Sequence, residues 1–209
     1  DLGDYYPFKY FSNNPFKIFF PIDEPLNKAG IDSGNGCDVI FSVTNEILEK
    51  YAHLNVPKYF IHHGLSEDFI HNDCISTNDD GIIRVGLSGN WLRPDIDTKC
   101  LLKIIEENSA IIFEFWGSCQ LDQCNIGGSN DTAIVQFIEK LKKSKNVLLH
   151  GPIHPKYLAI EFQRMDAFLI TYDILKDQSK GTNYHKIMEY LSTGKVIMSN
   201  NISTYSKIT

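Results

Sequence analysis

Positive charge is scarce in this sequence: 20 Lys and Arg stand against 26 Asp and Glu, a net charge of -6. A nucleic-acid binder carries a basic face. The densest basic patch here, KLKKSK at 140–145, reads as the solvated end of a helix, so no nucleic-acid partner is expected. Long apolar runs are missing as well. None reaches the about 18 residues that a membrane-spanning helix needs, and no signal-peptide pattern is visible. Cysteine is sparse and unpaired in pattern, with five residues at 37, 74, 100, 119 and 124. That excludes a disulfide framework and points to free thiols in a reducing cytoplasm. Cys119-x4-Cys124 would be half of a metal site without a second half, so no metal is expected. The sequence also lacks both the G-x-G-x-x-G fingerprint and a P-loop, which counts against a dehydrogenase.

What is present is ordinary globular composition, 43% hydrophobic and 22% charged, over 209 residues. That length suits one large or two small domains. The chain begins at Asp1 without an initiator Met and in mid-pattern, and is expected to be a piece of a longer protein.

Apolar runs alternate with amphipathic segments. Residues 17–23, 38–43 and 57–64 read as strands, with a connection after the first. A helix over 44–54 has Thr44 as N-cap and Ile47, Leu48, Tyr51 and Leu54 on one face. The polar interval 71–81 is the best linker, giving domains at 1–75 and 80–209. From 82 onward, strands at 82–88, 110–117, 146–151, 166–172 and 195–199 alternate with helices at 97–108, 130–143, 154–165 and 182–194. Strict alternation predicts an α/β fold, a parallel sheet with helices on both faces. The strands lack period-two alternation, as strands buried on both faces do.

Ligands of such sheets bind beyond the carboxyl ends of the strands. Five segments are selected: 86–97, 117–119, 150–154, 172–185 and the residues after 199. In GLSGNWLRPD, Gly86 and Gly89 allow close backbone approach and Arg93 suits a phosphate; a glycine turn with a surface Arg fits equally. The acids of DID (95–97) suit a helix start better than a metal. In HGPIHPK, Gly151 and Pro152 make a turn, the backbone beside Ile153 could read a flat base, and the histidines fit exposed turn positions.

The most informative stretch is TNYHKIMEYLSTGKVIMSN (182–200). Thr182 and Asn183 precede a helix whose Tyr184, Ile187, Met188 and Leu191 should face the sheet. A helix start offers N–H groups to an anion. Lys186 in the first turn opposes the helix dipole unless an anion compensates it. Glu189 is placed to accept from ligand hydroxyls. A surface Lys–Glu pair, worth little, explains the spacing as well.

This last segment resembles the signature of GT-B-fold glycosyltransferases, the family 4-like group, whose K-x-x-E-Y-L-x-x-G-K/R-x-V-x-S pattern matches Lys186, Glu189, Tyr190, Leu191, Gly194, Lys195 and Ser199. Residues 38–69 resemble the end of that family's N-terminal domain, and NVLLHGPIHPKYL resembles its base-contacting strand and loop. The resemblance implies two Rossmann-like domains, the N-terminal one incomplete here. It implies a metal-independent glycosyltransferase of the cytoplasm, working in polysaccharide or glycoconjugate biosynthesis, with a UDP- or GDP-sugar as donor substrate and no other cofactor. A glycan or lipid-linked acceptor is implied, with room for peripheral membrane association through the missing N-terminal part. By match, Glu189 would bond the ribose, Lys186 and Arg93 the diphosphate, and Gly151 and Ile153 the base. Gly89, Thr182 and Asn183 complete the implied donor site, and no catalytic residue is assigned. The family often carries an acid eight positions before the Glu, where this chain has Gly181. A non-catalytic nucleotide-binding module and a GT-B-fold sugar-nucleotide epimerase stay open beside the transferase.

Overall fold

The computed structural model describes residue 8 and residues 15–25, 27–70, 80–120, 129, 131–177, 183–200 and 202–205. Two compact units emerge, one of Asp1–His63 with Ser203–Thr209 and one of Gly64–Ile202. The division falls ahead of the polar interval, most of which (71–79) lies outside the described residues.

In the first unit, β1 (Ile18–Phe19), β2 (Val39–Ser42) and β3 (Lys58–Phe60) form a parallel sheet in that order. The connection after β1 contains a single-turn helix, α1 (Lys28–Asp32), capped by the Asn27 side chain on Gly30 N. α2 (Asn45–Lys50) follows β2, and Thr44 Oγ1 accepts from Ile47 N at 3.0 Å, as its N-cap position predicts. Ile40, Val43, Ile47, Leu48 and Tyr51 make the core, with Phe19, Leu54 and Phe60 packed against it.

The second unit holds five strands. They are β4 (Arg84–Ser88), β5 (Ile112–Trp116), β6 (Val147–Gly151), β7 (Ala167–Ile170) and β8 (Val196–Ser199). All pair in parallel, in the order β6-β5-β4-β7-β8. The helices between them are α3 (Thr98–Glu107), α4 (Thr132–Lys143), α5 (Pro155–Gln163) and α6 (Lys186–Leu191). This is the alternating parallel α/β arrangement expected from the sequence, and its strand order reverses between β4 and β7.

Strand alternation sorts the layers. Val85, Leu87, Phe113 and Phe115 point to one face and share a core with Leu101 and Ile105 of α3 and Ile134, Phe137, Ile138 and Leu141 of α4. On the other face Phe162 of α5, Phe168 of β7 and Tyr190 of α6 form an aromatic cluster. Phe168 and Tyr190 stack with centroids 4.2 Å apart. Gly86 keeps β4 thin beneath that cluster: a Cβ there would lie 2.8 Å from both Met165 and Phe168. The edge strands are less covered than their apolar sequences predict, with Leu148, Val196 and Met198 exposed.

Candidate functional site

A parallel sheet of this order opens a crevice at the carboxyl ends of the two strands where the order reverses. Those ends are Ser88 of β4 and Ile170 of β7. Lys186, the first residue of α6, reaches between them. Its Nζ donates to the Ser88 carbonyl and to Tyr172 Oη, the latter at 3.0 Å. The lysine lies deep among protein atoms yet keeps some exposed surface. Burial works against its charge, while the Tyr172 and Tyr190 hydroxyls beside it work for the charge. The balance shifts its pKa upward, so the group is cationic. Among the described residues no carboxylate oxygen lies within 4.0 Å of that Nζ. The ammonium also lies 5.9 Å from the Trp91 ring centroid and 5.0 Å from that of Tyr172. A deep cation with neutral oxygens and ring faces around it leaves net charge for a ligand to meet.

The surface Lys–Glu pair is therefore not what forms. Glu189 instead lies 3.8 Å from His185 Nδ1. Burial raises the Glu189 pKa, opposed by His185 and Lys186. The expected helix face holds at Tyr184 and Ile187, both buried, and differs at its far end. Tyr190 is fully buried and Leu191 is exposed. The reason is polar as well as apolar: Tyr190 Oη accepts from Ser88 N at 2.8 Å and lies 3.0 Å from Ser88 Oγ, tying α6 to the end of β4. Nor does the helix start present an open row of donors. Ile187 N and Met188 N already donate to Tyr184 O and His185 O, and His185 makes no side-chain cap. The charge of this site comes from a side chain, not from the helix end.

Arg93 is half-exposed and grips Asp95, whose carboxylate is buried. Nε donates to both carboxylate oxygens, at 2.9 and 3.1 Å, and Nη2 adds a third bond. The bond to Asp95 raises the Arg93 pKa further above its usual value. The guanidinium sits 6.0 Å from the Tyr172 ring centroid, at the outer limit of a cation–π contact. So Asp95 holds an arginine in place, and Asp97 caps α3 by accepting from Cys100 N at 3.0 Å. The segments after β4 and β7 are laced together above the crevice. Asp97 N donates to Thr171 O, Asp173 N donates to Asp95 O, and Ile96 bridges Tyr172.

Two glycines, Gly89 and Gly117, continue the sheet past β4 and β5 to meet the end of β6 at Gly151. Gly89 N donates to Trp116 O at 3.0 Å, and Gly117 N donates to Gly151 O at 2.8 Å. Gly117 has φ +112, and a Cβ on it would stand 1.9 Å from Gly89 O, so only glycine fits. Gly89 has φ +151 and faces the Lys186 and Tyr172 tips.

Of the sequence-predicted residues, Gly89, Arg93 and Lys186 meet around Tyr172. Gly151 is linked to them through Gly117. Ile153 is half-buried two residues further on, and Asn183 is buried just before α6. Thr182 and Gly181 lie outside the described residues. Both histidines are exposed, as expected, yet each has a structural partner. His150 belongs to β6, bonds Glu114 at 2.8 Å and stacks on Trp116, while His154 caps α5 by accepting from Lys156 N. The segments selected from the sequence contain Ser88, Gly117 and Tyr172, but none of the three was assigned to the donor site. Each stands at a strand's carboxyl end, which is the one signal that could have found them.

Neither a family model nor a curated protein matches the sequence. Solved structures do. One is the lipopolysaccharide outer core galactosyltransferase WaaB in its apo form. Its TM-score is 0.56 at 11% identity, over 88% of this chain and 48% of that one. Another is Anabaena HepE in complex with UDP and glucose, with a TM-score of 0.64 at 11% identity, over 92% of this chain and 54% of HepE. The chain thus spans about half the length of the structures it matches. With its two parallel-sheet units and this strand order, it has the fold of the GT-B glycosyltransferases.

Proposed function

We propose that this chain carries the donor site of a glycosyltransferase that moves a sugar from a nucleotide sugar to a hydroxyl acceptor. The observation that carries the reading is Lys186, a deep-set cation at the strand-order reversal with no carboxylate partner among the described residues. A diphosphate is the complementary ligand. In transfer, the bond from the sugar's anomeric carbon to the diphosphate oxygen breaks, and the electron pair leaves with the diphosphate. The acceptor oxygen bonds to that carbon, and its proton passes to the departing diphosphate or to water. The growing charge on the leaving group needs pre-placed positive partners. Lys186 and Arg93 fill that role in this reading, so it asks for no metal. Glu189, one turn along α6, accepts from the ribose hydroxyls. Gly89 lets the phosphates approach, Gly151 and Ile153 line the base, and Thr182 and Asn183 complete the approach to α6. HepE binds UDP and glucose, which supports a UDP-sugar; a GDP-sugar is the alternative. A glycan or lipid-linked acceptor, polysaccharide or glycoconjugate biosynthesis and a cytoplasmic setting belong to the same proposal.

Gly181 in place of the family's frequent acid favours a second reading, a module that binds nucleotide without turnover. The test is calorimetry with UDP, GDP, ADP and CMP and their sugars. Donor-site function predicts one nucleotide preferred and lost in Glu189→Ala. Retention of that nucleotide with neither transfer nor donor hydrolysis supports the second reading. No binding to any of them overturns both.

A further inference from the structure

Two tyrosines stack beside the crevice, Tyr172 after β7 and Tyr184 before α6, with ring centroids 4.5 Å apart. Their hydroxyls are wired in opposite senses. Tyr184 donates its hydrogen to the buried Asp177 carboxylate at 2.7 Å and accepts from Asn200 Nδ2 at 3.4 Å. Burial, then Asp177, raises the Tyr184 pKa, so that hydroxyl is a fixed structural donor. Tyr172 does the reverse. Its oxygen accepts from Lys186, which is cationic and has only hydrogens to give. The Tyr172 hydrogen meets no acceptor among the described residues.

The rest of Tyr172 is held. Its backbone N donates to Asn200 Oδ1 at 3.3 Å, its backbone bridges Ile96, and its ring lies between Tyr184 and the neighbourhood of Arg93. The hydroxyl tip and Lys186 Nζ converge on the bare face of Gly89. A Cβ built there would be 4.0 Å from the former and 2.8 Å from the latter. A half-buried ring, an oxygen polarised by an ammonium and a hydrogen without an acceptor among the described residues, beside the bare backbone of Gly89, make a built donor group.

We propose that Tyr172 is a direct ligand contact: its O–H donates a hydrogen bond to a phosphate oxygen of the same diphosphate that Lys186 binds. This rests on the donor-site reading above. As the leaving group gains charge the bond strengthens, and the proton stays on Tyr172. The acceptance from Lys186 makes the phenol a better hydrogen donor, so the two groups act as a charge-assisted pair.

Tyr172→Phe tests it, because phenylalanine keeps the stacked ring, and unliganded melting reports the fold. Affinities of the wild-type and variant chains are measured for the preferred nucleoside diphosphate, its monophosphate and inorganic pyrophosphate. A lost hydrogen bond to a charged partner corresponds to about a tenfold weakening. The expectation is about tenfold for the diphosphate and pyrophosphate, with the nucleoside monophosphate nearly unchanged. Equal affinities in both chains overturn the proposal. A positioning role through Lys186 is separated by adding Lys186→Met. A direct contact still loses affinity when Tyr172→Phe is added to that background, and silence there overturns direct contact. If pyrophosphate binds with the predicted Tyr172 dependence but no nucleoside diphosphate binds better, the anion contact stands and the glycosyl-donor reading fails. If the wild-type chain binds neither pyrophosphate nor any nucleotide, both fall.

Discussion

Helices α4 and α6 belong to the same sheet and were read from the sequence by the same rules, yet they are built to different ends. Every local choice in α4 agrees. Asp131 caps it by accepting from Ile134 N at 2.9 Å. Ile134, Phe137, Ile138 and Leu141 fill one face, and Lys140, Lys142 and Lys143 sit in the last turn, where the helix dipole favours cations. Helix α6 contradicts itself. It is six residues long, starts without a side-chain cap and places a lysine at its positive end, pushed into the protein. A sequence obeys local rules where only folding is asked of it, and departs from them where a ligand completes the structure. The contrast between the two helices is therefore evidence about function.

The largest way to break the α6 site is from beneath. Gly117→Ala places a Cβ 1.9 Å from Gly89 O on a backbone at φ +112. Neither strand end can yield without losing the ladder from Gly89 to Trp116 and from Gly117 to Gly151. Urea denaturation should show a loss of roughly 3 kcal/mol or more, and nucleotide affinity should fall with it. A variant within about 1 kcal/mol of wild type would mean the loops have room that the geometry denies them.

Lys186→Met sharpens the comparison, because it should separate binding from stability. Removing a charged partner of a bound anion costs about 3 kcal/mol, over a hundredfold in affinity. Folding should change by only about 1 kcal/mol in either direction. Relief from a deep, uncompensated charge opposes the loss of donors to Ser88 O and Tyr172 Oη, terms of similar size. Destabilisation beyond about 3 kcal/mol with affinity intact would make Lys186 a structural residue like those of α4.

Much of the fold was legible because its signals are local. The shared face of Ile47, Leu48, Tyr51 and Leu54, the Thr44 cap, and the apolar runs at 82–88 and 110–117 each need only neighbouring residues to be read. α1 was missed because a single turn with Gly30 inside it has no periodicity to find. The edge exposure of Val196 and Met198 depends on strand order, which no run of residues encodes. The site was legible in part for the same reason. Lys186 breaks a dipole rule and so stands out in one dimension. Tyr172 breaks none. Its importance lies in meeting Lys186, Gly89 and Arg93, residues 14, 83 and 79 positions away along the chain. In sequence Arg93 fitted a phosphate ligand and a surface arginine equally, and only the structure shows Asp95 already on its fork.

Glu189→Gln should act through pH. Burial raises the Glu189 pKa above its unfolded value, so the folded state holds that proton more tightly. As pH rises from the ordinary carboxyl range through the raised folded value, the unfolded chain ionises first and the protein loses stability. Gln removes that slope, and the variant should be the more stable chain at neutral pH. Affinity for the nucleotide should fall about tenfold, since an ionised acceptor is replaced by a neutral one. Urea midpoints measured across pH 4–8, roughly the carboxyl window, check the first effect. Identical slopes in both chains would show that Glu189 is ordinarily solvated.

The smallest effect is expected from Asp131→Ala, the control from α4. It removes the acceptor for Ile134 N and should cost about 1 kcal/mol, read as a lower midpoint with an unchanged denaturant slope. Nucleotide affinity should not move. The two helices would then differ by experiment as they do by construction, one whose changes register in folding and one whose changes register in binding. If Asp131→Ala weakened nucleotide binding as much as Lys186→Met, α4 and α6 would not be separable in function. The uncompensated lysine would then be no guide to where the ligand sits.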